Sequence, residues 1–459
     1  MIVYTPPAMI TGPADGSQPI HECDDRTDRS REGATLALMV AKLERVSFMI
    51  ALIVAGEAVF SLPFHVARFF RPTVLELFAL TNTELGAAQS AYGIVAMLAY
   101  FPGGPLADRF SARRLLTVSL LATSIGGLYF VSFPPYRGLA LLFGFWGLTT
   151  ILLFWAALIR ATREWGGEDK QGRAFGILDG GRGLFAAVLA AAAVAVFQQL
   201  MPEDPVAATD AMRARALGGI IYMYTGVTAS AGALCWLFVP ERRELLPPRD
   251  SLWEHIGGVV RLPRVWLQAL VVVCAYVGYK GVDDYSLYAV QAYGMNEVDG
   301  ARVSALSAWV RPVAAVGAGW LGDRVCASRV TALCFALMVG SYAWLALAVP
   351  RPSALWVLYL NVLVTCVAVF GLRGVYFALF QEAAVPLAAT GTAVGLVSVI
   401  GYTPDIFVNL VGGWLLDRTP GVRGHQHFFT FLLVAATVGL VATLAFRRSG
   451  VSAAAAKEL

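Results

Sequence analysis

The sequence predicts an all-α membrane protein, with twelve transmembrane helices arranged as two pseudo-symmetric six-helix halves. Composition is the first sign. Of 459 residues, 58% are hydrophobic and 14% charged, and the mean hydropathy is +0.65. A soluble domain carries roughly 25% charged residues, so much of this surface must face something other than water. Length is the second sign. Apolar runs of about 20 residues recur, each long enough to cross a hydrocarbon core of roughly 30 Å. In lipid the backbone must satisfy its own polar groups, so these runs are helices. Repetition is the third sign. The stretch 103–114, with Asp108, Arg109, Arg113 and Arg114, is a charged hairpin between two apolar runs. The stretch 319–329, with Asp323, Arg324 and Arg329, says nearly the same thing half a chain later. A second echo pairs residues 172–176 with 391–395 at a similar offset.

In order, residues 1–41 are polar and interrupted by Pro6, Pro7, Pro13 and Pro19, without the basic start and apolar core of a signal peptide. They are expected to form a disordered cytoplasmic tail. The first half occupies 42–239, with helices near 45–66, 84–106, 115–133, 138–161, 174–200 and 217–239. Residues 240–264 are basic and proline-containing and read as the cytoplasmic linker. The second half occupies 265–447, with helices near 265–290, 301–322, 329–349, 354–380, 389–416 and 427–447; a cytoplasmic tail, 448–459, ends the chain. With both termini inside, the inner segments hold about 22 Lys and Arg and the outer ones about 9. Positive charge gathers on the cytoplasmic side of membrane proteins. This pattern places both termini in the cytoplasm.

The hairpin residues Gly104, Leu106, Ala107, Asp108, Arg109 and Arg113 fit the signature G-x-L-A-D-R-x-G-R-[RK]. On this motif and its weaker copy the chain resembles the major facilitator superfamily of secondary transporters. Ser111 and Ala112 stand where that family has Gly and Arg, which implies a less tight turn. The stretches 154–160 and 171–183 are similar to a bacterial branch that includes putative sulfoquinovose importers. More distantly they resemble organophosphate:phosphate antiporters and nitrate/nitrite porters. The chain has no Arg in helix 1, where the phosphate antiporters carry one, and none in helix 2, where the nitrate porters do. The resemblance covers residues 42–447 and implies a site near mid-membrane between the halves, worked by alternating access.

Ionisable side chains inside a span cost several kcal/mol unless paired or facing water, so each is a functional candidate. Arg311 in helix 8 and Arg373 in helix 10 carry guanidinium forks suited to phosphate, sulfonate or carboxylate. They are the expected substrate anchors, with Trp155, Tyr279 and Tyr376 as lining. Pairing with Glu57 or Asp405 is the alternative for both. Lys280, Asp283 and Asp284 lie within one turn, so Lys280 reaches either acid. One of Asp283, Asp284 or Glu57 is expected to carry a proton. Asp179 and Arg182, three apart on one face, are expected as a pair or gate near the cytoplasmic mouth. Asp108, Arg109, Arg113, Asp323 and Arg324 are expected to latch the hairpins.

No G-x-x-x-x-G-K-[ST] phosphate loop occurs, no nucleophile–base arrangement stands out, and the net charge of +4 gives no reason to expect nucleic acid. No cofactor or metal is expected: the six cysteines show no C-x-x-C spacing, and His425 and His427 form the only close histidine pair. The expected activity is therefore secondary transport of a small organic anion by a monomer in the bilayer, driven by protons or another ion, rather than catalysis. An exporter of amphipathic compounds and a transporter-like ligand sensor are the alternatives.

Overall fold

The structure, a computed structural model, describes residues 24–167, 171–241, 260–383 and 395–455. The chain divides into Met1–Ser47 and Phe48–Leu459. The first unit is described from Asp24 onward as helix, with exposed Met39, Val40, Leu43 and Val46. The sequence from Arg31 to Lys42 carries three Ala and two Leu, which lose little rotamer freedom in a helix.

The described residues contain nine helices long and apolar enough to cross a membrane. In chain order with three others they are α1 (Lys42–Phe69), α2 (Asn82–Arg109), α3 (Ala112–Phe130), α4 (Tyr136–Gly166), α5 (Arg173–Leu200) and α6 (Asp210–Phe238). Then come α7 (Pro263–Tyr293), α8 (Glu297–Val325), α9 (Ala327–Leu347), α10 (Leu355–Val375), α11 (Gly395–Arg418) and α12 (Val422–Ser449). Helices α2, α3 and α8 complete the twelve. Their apolar character is diluted by charges at their ends, such as Asp108 and Arg109 in α2 and Glu297, Asp323 and Arg324 in α8. Most of the linker and residues 391–394 lie outside the described residues.

Helix starts follow the capping chemistry written in the sequence. Thr81 and Glu84 form a reciprocal capping box at α2, and Thr209 and Asn296 cap α6 and α8. Ser111 caps α3 by accepting from the Arg114 backbone N–H at 3.5 Å. The signature turn thus needs no glycine there: Ser111 sits in ordinary extended backbone and supplies the cap instead.

Three apolar clusters form the core. One lies wholly within 265–446 and one wholly within 48–239. The third joins 62–224 to Val298, Ala301, Ala305 and Ala308 of α8. Among the described residues, hydrogen bonds joining α1–α6 to α7–α12 gather at the end of the bundle that carries Asn82, Glu297 and Asp417. Asp417 accepts from Asn82 and Thr83, and Glu297 from Thr73 and Arg213. Asn409 donates to Gln89 at 2.7 Å. In the same seam a side chain at Gly86 would strike the Asn409 carbonyl, and one at Gly413 the Asn82 carbonyl, so the two helices touch backbone to backbone. We call this the closed end.

Candidate functional site

Between the two sets of helices lies a cavity of about 520 Å³, lined by residues of α1, α2, α4, α5, α7, α8, α10 and α11. It reaches Asp179, whose side chain is 74% exposed, and so opens away from the closed end. Irregular turns place several lining groups. A π-helical stretch, Ser61–His65, widens α1 beside Glu57, and another, Leu148–Trp155, ends on Trp155. Such bulges turn side chains off the regular helical stripe and are frequent at functional sites. A 3₁₀ turn, Val282–Asp284, breaks α7, and Pro404 starts the helical segment carrying Asp405.

Two charge clusters flank the cavity. In the first, Glu57 is 2% exposed and faces three cationic or ionisable groups. Arg311 Nη1 donates to it at 3.1 Å, and His65 Nε2 and Arg182 Nε each lie 3.5 Å away. Arg182 also reaches Asp179 at 3.3 Å and donates to the Gly56 carbonyl at 3.0 Å. In the second, Asp283 accepts from Arg68 Nε at 2.5 Å and pairs with Lys280 at 3.1 Å. Lys280 lies 3.4 Å from Asp405, which accepts the Tyr276 hydroxyl at 3.0 Å. Ser286 and Ser304 donate to the Arg68 carbonyl, so α7 and α8 hold the end of α1 from both sides.

Arg373 stands apart from both clusters. No ion pair to it occurs among the described residues, and its buried Nη1 has no hydrogen-bond partner there. Its guanidinium lies 4.3 Å from the Tyr279 ring centre and 5.7 Å from that of Tyr276. Tyr376 and Tyr402 also line the cavity at this level. Aromatic faces attract a cation, yet their hydroxyls and π-clouds do not discharge it.

The structure therefore brings Arg311, Arg373, Trp155, Tyr279, Tyr376, Glu57, Asp179, Arg182 and Asp405 to one cavity. Arg311 is matched to Glu57, whereas Asp405, expected as a partner for the arginines, is engaged with Lys280 and Tyr276. Lys280 and Asp283 are buried behind the cavity wall. Asp284 points elsewhere, into a pair with His425 at 2.7 Å that is extended by Gln291. At the hairpins, Asp108, Arg109 and Asp323 are exposed, and no ion pair of theirs occurs among the described residues. With the cavity open at this end, the facing helix ends are not drawn together there. Arg113 and Arg114 instead reach Glu241 at 4.0 and 2.6 Å, and Arg113 also bonds the Val239 carbonyl. Arg324 stacks on Trp320, 3.9 Å from the ring centre. The second hairpin is held by Glu382, which accepts from the Ser328 backbone at 2.9 Å and Cys326 Sγ at 3.1 Å.

Sequence reasoning missed Arg68 because it ended helix 1 at Val66, so the reading of no Arg in helix 1 is corrected by α1, and it passed over His65 inside that helix. Their spacing of i+8 and i+11 from Glu57 continues its helical stripe and was the available signal. It also missed Asp417, although Gly413-Trp414-Leu415-Leu416-Asp417-Arg418 nearly repeats Gly319-Trp320-Leu321-Gly322-Asp323-Arg324. His425, 0% exposed in α12, lies just before the expected start of helix 12 at 427. Nothing in its neighbourhood marks it as buried.

Comparison with known proteins agrees with this architecture. The Major Facilitator Superfamily profile matches residues 46–407. The inner membrane protein YqcE of Escherichia coli (strain K12) is 27% identical over 397 residues, covering 83% of this chain and 89% of that protein. The inner membrane protein YihN of the same organism is 26% identical over 422 residues, covering 86% and 93%. The crystal structure of a bacterial homolog of the human lysosomal transporter Spinster, inward-facing and unoccupied, has the same fold: TM-score 0.66 at 14% identity, covering 89% of this chain and 98% of that one. Twelve membrane-length helices around a central cavity among the described residues, the duplicated charged hairpin and a family match over most of the chain lead to one conclusion: the chain belongs to the major facilitator superfamily and is a membrane transporter, not an enzyme.

Proposed function

We propose that this transporter moves a small organic anion, of the sulfonate, phosphate-ester or carboxylate class, coupled to protons. It works as a monomer in the bacterial inner membrane with both termini cytoplasmic. The observation that carries the reading is Arg373: a guanidinium facing the cavity, among tyrosines, with no acid matched to it among the described residues. Leaving a charge unpaired at this depth is unfavourable, and a visiting anion that accepts two parallel N–H bonds relieves it. Arg311, across the cavity, keeps Glu57 as its resident partner and adds positive potential. Trp155, Tyr279 and Tyr376 offer faces and hydroxyls to the body of a polar, ring-sized cargo. The likeness to sulfoquinovose importers favours a sugar sulfonate among these classes. By the positive-inside pattern the closed end is periplasmic and the cavity opens to the cytoplasm.

The test is thermal stabilisation of the purified protein by sulfoquinovose, glucose 6-phosphate and glucuronate, with glucose as the uncharged control, followed by uptake into proteoliposomes. At least one anion is expected to stabilise and enter where glucose does not, and Arg373→Ala is expected to abolish both effects. Stabilisation by glucose as large as by the anions, or normal transport by Arg373→Ala, overturns the anion reading.

A further inference from the structure

Five acids were candidates for joining the charge traffic of this site, and the geometry separates them. Asp283 is saturated by two cations, Arg68 and Lys280, and does not line the cavity. Asp284 is held by His425, also away from the cavity. Glu57 lines the cavity but faces two guanidinium groups, so its negative charge is more than matched. Asp179 is largely in solvent. Asp405 differs from all four. It lines the cavity, its side chain is 14% exposed, and its only cation among the described residues is Lys280, which lies nearer to Asp283. At 3.4 Å the Lys280 contact to Oδ1 lacks hydrogen-bond geometry, so that oxygen has no hydrogen-bond donor among the described residues.

We propose that Asp405 is the residue that carries the coupling proton, and that Tyr276 links its charge to occupancy of Arg373. This rests on the anion-transport reading above. The groups facing Asp405 are Lys280, Asp283 and Tyr276 from α7 and Tyr92 and Tyr100 from α2. Arg68, Lys280, Asp283 and Asp405 form a set of two positive and two negative charges. A proton arriving from the cavity water at Asp405 leaves that set with one surplus positive charge. The Tyr276 hydroxyl bonds Asp405, and its ring lies under the Arg373 guanidinium, so the surplus appears beside Arg373. In a medium of low effective dielectric, opposite charges at such range are strongly coupled, and an anion at Arg373 restores the balance. With Asp405 ionised, the same anion meets a carboxylate one tyrosine away. Proton and anion therefore favour each other's binding, which is the thermodynamic requirement for symport.

The test uses the full chain in proteoliposomes with sulfoquinovose, glucose 6-phosphate and glucuronate, measuring accumulation driven by an imposed pH gradient and counterflow at equal pH. For Asp405→Asn the ratio of gradient-driven accumulation to counterflow is expected to fall by about tenfold or more, and the pH dependence of counterflow to flatten. Asp405→Glu is expected to restore the ratio with a displaced pH profile. A purely structural role lowers both activities together and leaves the ratio unmoved, which overturns the proposal, as does wild-type accumulation by Asp405→Asn. If the wild-type protein moves none of the three anions, the anion reading fails by itself. Infrared difference spectra after a pH jump then decide the titration: a protonated-carboxyl band lost in Asp405→Asn supports the assignment, and an unaltered band overturns it.

Discussion

Asp417 holds Thr83 twice: its Oδ2 accepts from the Thr83 backbone N–H at 2.7 Å and from the Thr83 hydroxyl at 2.6 Å. Its other oxygen takes the backbone and side-chain N–H of Asn82 at 3.1 and 3.0 Å. A carboxylate at the last turn of α11 thus satisfies amides at the start of α2, where unbonded N–H groups and the helix dipole favour negative charge. The four bonds join the two sets of helices at the closed end.

Removing this acceptor is expected to loosen that end. A hydrogen bond to a charged group contributes roughly 1.5–3 kcal/mol. For Asp417→Ala, amide hydrogen exchange over the first turns of α2 should therefore speed by roughly ten- to a hundredfold. Exchange unchanged from wild type would show that the clasp contributes nothing to closure.

Arg373 is expected to be sensitive to shape as well as charge. Arg373→Ala should weaken anion binding by about a hundredfold, and Arg373→Lys, which keeps a point charge but loses the planar fork, by about tenfold. Isothermal titration with the best-binding anion checks both, and equal affinity for wild type and Arg373→Lys would argue against two-point recognition.

Glu57 is expected to matter for stability before transport. Removing one partner of a buried charge pair costs about 3–5 kcal/mol because the other stays buried and uncompensated. Glu57→Gln strands Arg311 and leaves Arg182 only its exposed pair with Asp179, so the thermal midpoint should drop clearly, and Glu57→Gln with Arg311→Met should recover much of the loss. A cycle showing simple additivity would mean that the 3.1 Å contact is energetically idle.

Glu382 lies outside the spans. Partial burial pushes its carboxyl up, but hydrogen bonds from Ser328 and Cys326 outweigh this and hold it below its ordinary value. A depressed acid stabilises fully above its unfolded value and loses that contribution as pH falls through the folded one. The stability gap between wild type and Glu382→Gln should thus be widest near pH 7 and shrink below about pH 4. A gap that is constant with pH would exclude the ionised form as its source.

The fold was legible because lipid enforces it: apolar length and backbone satisfaction determine the helices, and the hairpin signature repeats in the letters. The cavity's arginines and aromatics were legible too, since a guanidinium inside an apolar run stands out. What pairs with what was not. Periodicity places Lys280 near both Asp283 and Asp284, yet only the 3₁₀ turn at Val282–Asp284 sends one acid toward Lys280 and Arg68 and the other toward His425. Arg68 itself was hidden by the π-helical widening that carries α1 past its expected end. Asp405 depends on a helix break at Pro404 whose direction no local rule gives.

The bare contact of α2 with α11 has a mechanical meaning. Where side chains interlock, two helices part only after those side chains change rotamer. At Gly86 and Gly413 there is nothing to disengage, and main chain rests directly on main chain. Such a surface behaves as a plain bearing: it can slide apart and seat again in the same place many times. Tightness along that seam then leans on the polar clasps, beside the apolar contacts of Val298, Ala301, Ala305 and Ala308, so the force needed to open the gate can be set at the clasp residues without disturbing how the helices fit.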